Sequence, residues 1–283
     1  MKNKTKRFAA IAAALATAVT LSGCAAANEP LDEEVDIEID VRDPETGEEI
    51  PPEIGQPGEI IEPETPVVVP KVLTVSYVNV TSNGVNIRSG AGTGYAVRGS
   101  AEQSTMYALD GETNGWYKTG YKNNSAYISS KYCNIVELAA SDDERIEAIV
   151  AEGAKLLGTA YVYGAVRYHD GSGRKLSGFN INSFDCSSLM QYIFYMGAHV
   201  NLQVNTRTQI YQGKTVSKSE LKRGDLMFFT NESRKNLTGV ERVGHVALYL
   251  GENWILHTAS DYAKIEQISA KRWSYFIQGQ RIL

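Results

Sequence analysis

The chain has 283 residues, 43% hydrophobic, 22% charged and 9% aromatic, with a formal net charge of −5. That length suits one large domain or two modest ones. The composition excludes a collagen-like, multi-span membrane or disulfide-scaffold protein, since three cysteines cannot staple a secreted chain of this size. The charge is unevenly placed. All eight prolines fall between Pro30 and Pro70, and residues 29–64 carry 15 carboxylates against the single Arg42. Residues 71–283 carry 23 basic and 18 acidic side chains, so the part able to fold is mildly basic.

The N-terminus reads as an address. Lys2, Lys4, Lys6 and Arg7 precede an apolar run from Phe8 to Leu21, too short to span a bilayer comfortably and suited to an export signal over residues 1–23. The run ends in Leu21-Ser22-Gly23-Cys24, which resembles the lipobox of bacterial lipoproteins. The resemblance implies that Cys24 is diacylated and anchors the chain to the outer face of the bacterial membrane, in the cell envelope. Two acyl chains suffice for stable anchoring. Residues 24–70 then form the anchor and an acidic, proline-rich tether too polar to bury a core. As a flexible chain it would reach about 40 Å, and more with proline and like-charge repulsion.

From Val72 to Val136 the pattern is short strands with turn punctuation, as in "TVSYVNV", "TMYALDGETNGWYKTGY" and "SAYISSKYCNIV". Alternating β-branched and aromatic residues broken by Ser-Asn-Gly and Thr-Asn-Gly predict a small all-β barrel over residues 71–137. The stretch "VNIRSGAGTGYAVRG…NGWYKTGY…AYISSKY" resembles a bacterial SH3 (SH3b) domain, which implies wall-peptide binding or placement of a catalytic neighbour. Cys133 is expected to be a buried small hydrophobe.

Residues 138–283 change texture. Ser141-Asp142-Asp143-Glu144 signals a helix start. Apolar positions at Ile146, Ile149, Val150, Ala154 and Leu157 carry the helix toward Gly158. A second helix follows Cys186, with Ser183 and Asp185 as caps and Leu189, Ile193 and Met196 as its buried stripe. Strands then follow in "DLMFFT", "HVALYL", "WILHTA" and "YFIQGQRIL", an α+β layout of helices first and antiparallel strands second. Cys186 therefore falls in the first turn of a helix, where the dipole and free N–H groups favour a thiolate.

His245 opens one strand and His257 lies twelve residues on, in the next. A three-residue turn at Gly251-Glu252-Asn253 would set His257 opposite Ala247 and place both imidazoles on one face as diagonal neighbours; a two-residue turn would put them on opposite faces. A nucleophile, a base and an orienting third group are what thiol acyl transfer needs. A zinc site fits less well, because these residues lack short pairwise ligand spacings and no carboxylate falls near them in sequence.

Together, "LLGTAYVYGA", "FDCSSLMQYIF", "NTRTQIYQGKTVSKSELKRGDLMFF", "VGHVALYLG" and "WILHTAS" resemble the NlpC/P60 cell-wall cysteine peptidases, with a papain-like α+β core. The resemblance implies Cys186 as nucleophile, His245 as general base paired with the thiolate, and His257 as the third triad member. It places Tyr161 beside the nucleophile, and Asp185 and Ser187 where relatives bind the substrate's amino terminus. It implies cleavage of the γ-D-glutamyl bond to the diamino acid of peptidoglycan stem peptides, without metal or other cofactor. Nucleic acid is not an expected partner, and a monomer is expected. The rival readings are an amidase or acyltransferase with the same Cys-His core, and a non-catalytic wall-binding lipoprotein. Ala165 and Ser188 stand where the family usually has Gly. Two expanded loops, 166–182 with Arg167, His169, Arg174 and Lys175, and 231–243 with Arg234, Lys235 and Arg242, are expected to flank the cleft with positive charge or act as a lid.

Overall fold

The computed structural model describes residues 73–283. The export signal, Cys24 and the acidic tether lie outside the described residues. Eight strands come first: β1 (Thr74–Val80), β2 (Val85–Arg88), β3 (Val97–Ala101), β4 (Thr105–Ala108), β5 (Gly111–Thr113), β6 (Trp116–Tyr121), β7 (Asn124–Ser129) and β8 (Cys133–Ala139). Next come α1 (Glu144–Lys155), the short parallel pair β9 (Ala160–Tyr161) and β10 (Ser183–Phe184), α2 (Cys186–Ala198) and α3 (Thr206–Gln209). The chain ends in β11 (Lys214–Val216), β12 (Leu226–Phe229), β13 (His245–Gly251), β14 (Trp254–Ala259), β15 (Tyr262–Gln267), α4 (Ala270–Ser274) and β16 (Phe276–Arg281). The α+β layout is as the sequence implies, with β15 and several short elements added to it.

The helices start where their caps dictate. Asp143 accepts the Arg145 N–H at the head of α1. At the head of α2, Asp185 accepts the Ser188 N–H while Ser188 returns the bond to the Asp185 N–H, a capping box. The first nine residues of α2 are all buried, a wider apolar face than the stripe of Leu189, Ile193 and Met196; Met196 itself is exposed. Helices α1 and α2 pack closely because Gly197 offers no side chain: a Cβ there would lie 2.5 Å from the Ile149 nitrogen. Gly197→Ala is therefore expected to lower stability by about 1–3 kcal/mol, seen as a reduced denaturation midpoint.

The sequence suggests two separate modules, yet the strands form a joint structure. One sheet runs β11-β16-β12-β13-β14-β15-β4-β1-β8, so β4 of the N-terminal module hydrogen-bonds directly to β15. The second sheet, β3-β2-β7-β6-β5, closes the small β module. The larger of two core clusters crosses the junction, with Tyr77, Met106 and Leu138 joined to Phe184, Leu256 and Ile265; Met227, Phe229, Ala247, Ile255 and Ile268 form the second. A polar pin crosses the same boundary. Arg223 grips Glu147 through Nε (2.7 Å) and Nη2 (2.8 Å), and donates from Nη2 to the Tyr77 hydroxyl at 2.9 Å. Tyr121 fits against Gly158, which has φ +83 and leaves no room for a Cβ. Cys133 is half-buried rather than fully enclosed, and burial raises its thiol to about 11.

Candidate active site

Cys186 is the first residue of α2, and its side chain faces the start of β13. The backbone N–H groups of Val246 and Ser187 act on its sulfur in the direction that favours a thiolate. Cys186 and His245 line one cavity of about 350 Å³ together with Tyr161, Phe229 and Arg272. Tyr161 stands there because β9 pairs with β10 at Tyr161↔Phe184, two residues before the cysteine.

His245 and His257 share a sheet face, by a route the sequence did not reveal. The β13–β14 turn has only two residues, Glu252 and Asn253, both at positive φ (48° and 65°). A bulge at Leu250 absorbs one residue, since Tyr249 opposes Ile255 while Gly251 opposes Trp254. The pairing Leu248↔Leu256 then sets Ala247 against His257, as a longer turn would have done. His245 and His257 are thus diagonal neighbours, with His245 Nε2 at 3.0 Å from His257 Nδ1.

The same diagonal step repeats on the next strand. Because His257 opposes Lys264, Glu266 is its diagonal neighbour on β15, and His257 Nε2 lies 3.0 Å from Glu266 Oε1. Arg272 on α4 donates to that oxygen at 2.9 Å. Sequence reasoning missed this carboxylate, although it lies only nine residues after His257. The available signal was the alternation in "YAKIEQ" after a Ser-Asp turn, with Ala263 and Ile265 facing inward and Glu266 on the histidine face.

The chain of bonds fixes proton positions. Burial opposes ionisation of Glu266, but the bond from His257 and the charges of His257, Arg272 and Lys264 outweigh it and hold the carboxyl down to about 2. The carboxylate accepts the His257 Nε2–H, which leaves His257 Nδ1 as an acceptor. His245 must then donate from Nε2, so its Nδ1 carries the free lone pair. Burial, then the neighbouring His257 and Arg272, push His245 well below its ordinary value. Burial also pushes the Cys186 thiol up to about 11, reinforced by Asp185 and opposed by the two backbone N–H groups and Arg167. These directions favour a neutral thiol–imidazole pair, whereas the helix position by itself favours the thiolate–imidazolium pair. Alkylation of Cys186 by iodoacetamide is accordingly expected to accelerate with pH to at least 9; a rate already level between pH 5 and 8 would show a preformed thiolate.

The other face of Cys186 opens on a cavity of about 450 Å³, lined by Tyr161, Asp185, Ser187, Arg167, Arg207 and Arg234 among others. Asp185 and Ser187 reach its wall, and Asp185 is engaged on all sides. Oδ1 accepts from the Ser188 N–H (2.8 Å) and the Ser187 hydroxyl (3.0 Å). Oδ2 accepts from the Gly164 N–H (3.2 Å) and pairs with Arg167 Nη1 (2.7 Å). Of the two basic loops, only Arg167 and Arg234 reach this cavity. Arg174 pairs with Asp170 and Lys235 with Glu232, while buried His169 accepts the Gly171 N–H at Nδ1. Arg207, carried by α3, was not singled out in the sequence.

A cysteine at the N-terminus of a buried helix, packed on an antiparallel sheet that presents an imidazole, is the arrangement of the papain-like α+β class. Residues 158–281 match the model of the NlpC/P60 family and residues 83–134 that of the bacterial SH3 domain, so the chain carries an NlpC/P60 domain behind a bacterial SH3 domain. It is 28% identical over 144 residues to peptidoglycan DL-endopeptidase CwlO of Bacillus licheniformis, covering 50% of this chain and 29% of that protein. It is 32% identical over 115 residues to the probable endopeptidase NlpC homolog of Haemophilus influenzae, covering 40% of this chain and 57% of the other. Identity to γ-D-glutamyl-L-lysine dipeptidyl-peptidase of Bacillus subtilis is 27% over 173 residues, 60% of this chain and 50% of that one. The matched segments thus span less than two thirds of each of these relatives.

Proposed function

We propose that the protein is a peptidoglycan hydrolase of the cell envelope, a cysteine endopeptidase cutting the γ-D-glutamyl bond to the diamino acid of stem peptides. The observation that carries this reading is the hydrogen-bonded chain His245–His257–Glu266, whose His245 end lines one cleft with Cys186. The relatives' names support the substrate class. Cys24, lipidated, would anchor the chain to the membrane, and the acidic tether would give the head its reach.

In this mechanism His245 Nδ1 takes the thiol proton as the sulfur attacks the γ-carbonyl carbon. The positive charge formed on His245 is met by His257, itself backed by the Glu266 carboxylate. Backbone N–H groups at the head of α2, with the Tyr161 hydroxyl, stabilise the oxyanion. His245 then returns the proton to the leaving amine, which departs and leaves a thioester on Cys186. Water, deprotonated by His245, attacks the thioester, releasing the D-glutamyl γ-carboxyl group and restoring the thiol.

Mass spectrometry of muropeptides digested by the full chain tests the assignment. Fragments ending in a D-glutamyl residue, with a matching peptide that begins at the diamino acid, are expected. Products with a newly freed L-Ala amino terminus would identify an amidase instead, and unchanged muropeptides would leave wall binding as the function.

A further inference from the structure

The cavity on the Asp185 side of Cys186 has an unbalanced set of charges. Three arginines line it, Arg167, Arg207 and Arg234, and they share two carboxylates. Arg167 is spent on Asp185, and its remaining donors go to Ala165 O, Val204 O and Ser187 Oγ. Arg207 and Arg234 both reach one oxygen of Glu241, at 2.9 and 3.3 Å, so their guanidiniums sit side by side around a single carboxylate. Glu241 is itself 61% exposed at the rim. Each of these two arginines retains N–H donors that no protein group takes up among the described residues. Asp185, by contrast, accepts three hydrogen bonds and is ion-paired with Arg167 at 2.7 Å, so its charge is already balanced and an incoming ammonium group would have to displace a partner.

We infer that this flank of the cleft is a carboxylate subsite: Arg207 and Arg234 bind a carboxylate of the peptide substrate, and the Arg167–Asp185 pair removes any need for a free amino terminus. This rests on the hydrolase reading and narrows it. On the acyl side of a γ-D-glutamyl bond the carboxylate nearest the carbonyl attacked is the α-carboxylate of the D-glutamyl residue, three carbons away, and Arg207 and Arg234 line the same cavity as Cys186. A guanidinium pair matches a carboxylate in charge and in planar donor geometry. With Asp185 already balanced by Arg167, peptides still attached to the glycan through L-Ala fit as well as free ones.

The test uses the full chain carrying Cys186→Ala, so that binding is read without turnover. Calorimetry compares L-Ala-γ-D-Glu-L-Lys with its D-glutamyl α-carboxamide, each with a free and an N-acetylated amino terminus. The acid is expected to bind at least about tenfold more tightly than the amide, worth about 1.4 kcal/mol. Adding Arg207→Gln and Arg234→Gln is expected to abolish that preference, while N-acetylation changes Kd by less than about twofold. Equal affinity for acid and amide, a large loss on N-acetylation, or no binding of either peptide would overturn the inference. Acid-selective binding together with a wild-type chain that leaves both peptides intact would retain the subsite and remove the hydrolase assignment, so the two failures are distinct.

Discussion

Replacing Cys186 with alanine is expected to reduce stem-peptide hydrolysis by at least about 10⁴-fold, with the fold retained. The two hydroxyls that follow it on α2 are already engaged. Ser187 has its hydroxyl tied between Asp185 and Arg167, and Ser188 is fully buried in the capping box. The side chain of Cys186 contributes little to the core beyond its own small volume, and the α2 cap rests on Asp185 and Ser188. The variant should therefore denature within a few degrees of the wild type. Cys186→Ser keeps an oxygen in nearly the same place but presents His245 with a proton far harder to remove, so it too should be close to inactive. Hydrolysis within tenfold of wild type in a folded Cys186→Ala chain would exclude the thiol mechanism.

Removing the carboxylate at the far end of the relay should have the second largest effect. Glu266→Ala deprives His257 of its acceptor, so the His257 tautomer, and with it the direction of the His245 donor, is no longer fixed. It also leaves the Arg272 charge beside two imidazoles without its counter-ion. A fall in kcat of about 10²- to 10³-fold with little change in KM is expected. Glu266→Gln keeps an oxygen for both His257 and Arg272 and loses only the charge, so its loss should be nearer tenfold. The pH profile separates positioning from simple destabilisation. Glu266 raises the pKa of His257 while Arg272 lowers both histidines, so removing the carboxylate takes away the negative charge that opposes Arg272 there. Activity is lost as pH falls through the His245 pKa, because a protonated imidazole cannot accept the thiol proton. The acid limb should therefore move to lower pH in Glu266→Ala. An acid limb shifted upward, or kcat and KM changing together with a collapsed denaturation midpoint, would assign Glu266 a structural role only.

Much of this site could be read from local patterns. The caps and apolar spacing around Cys186 place the sulfur at a helix start, which the structure shows. The two histidines lie on one face, which turn length alone left open and would have tied to a three-residue turn. A two-residue turn and a bulge together give the register of a three-residue turn, and nothing in "YLGENW" marks the bulge. Glu266 was hidden because its strand was not recognised: "YAKIEQ" alternates polar and small residues and lacks the β-branched run that marks β13 and β14.

Tertiary pairing accounts for the remainder. The β4–β15 ladder, with Ile265 opposite Met106 and Glu266 opposite Thr105, joins residues about 160 positions apart, and no local periodicity encodes it. Its consequence is functional. The strand that carries Glu266 is held on one side by His257's strand and on the other by the SH3 module, so the small β module forms part of the scaffold that holds Glu266 against His257. Packing also bears on the electrostatics of the sulfur. A helix N-terminus favours a thiolate in isolation, but the sheet, Asp185 and the enclosing loops desolvate the sulfur, and that cost is set by packing.

The most direct test of the thiol mechanism counts modification against activity. Iodoacetamide treatment at pH 9, followed by mass mapping of Cys186 and Cys133 and a stem-peptide assay on the same samples, gives both quantities. Residual hydrolysis is expected to fall in proportion to unmodified Cys186 and to reach zero when that one site is fully alkylated, whatever the state of Cys133. Hydrolysis that survives complete alkylation of Cys186 would contradict the mechanism.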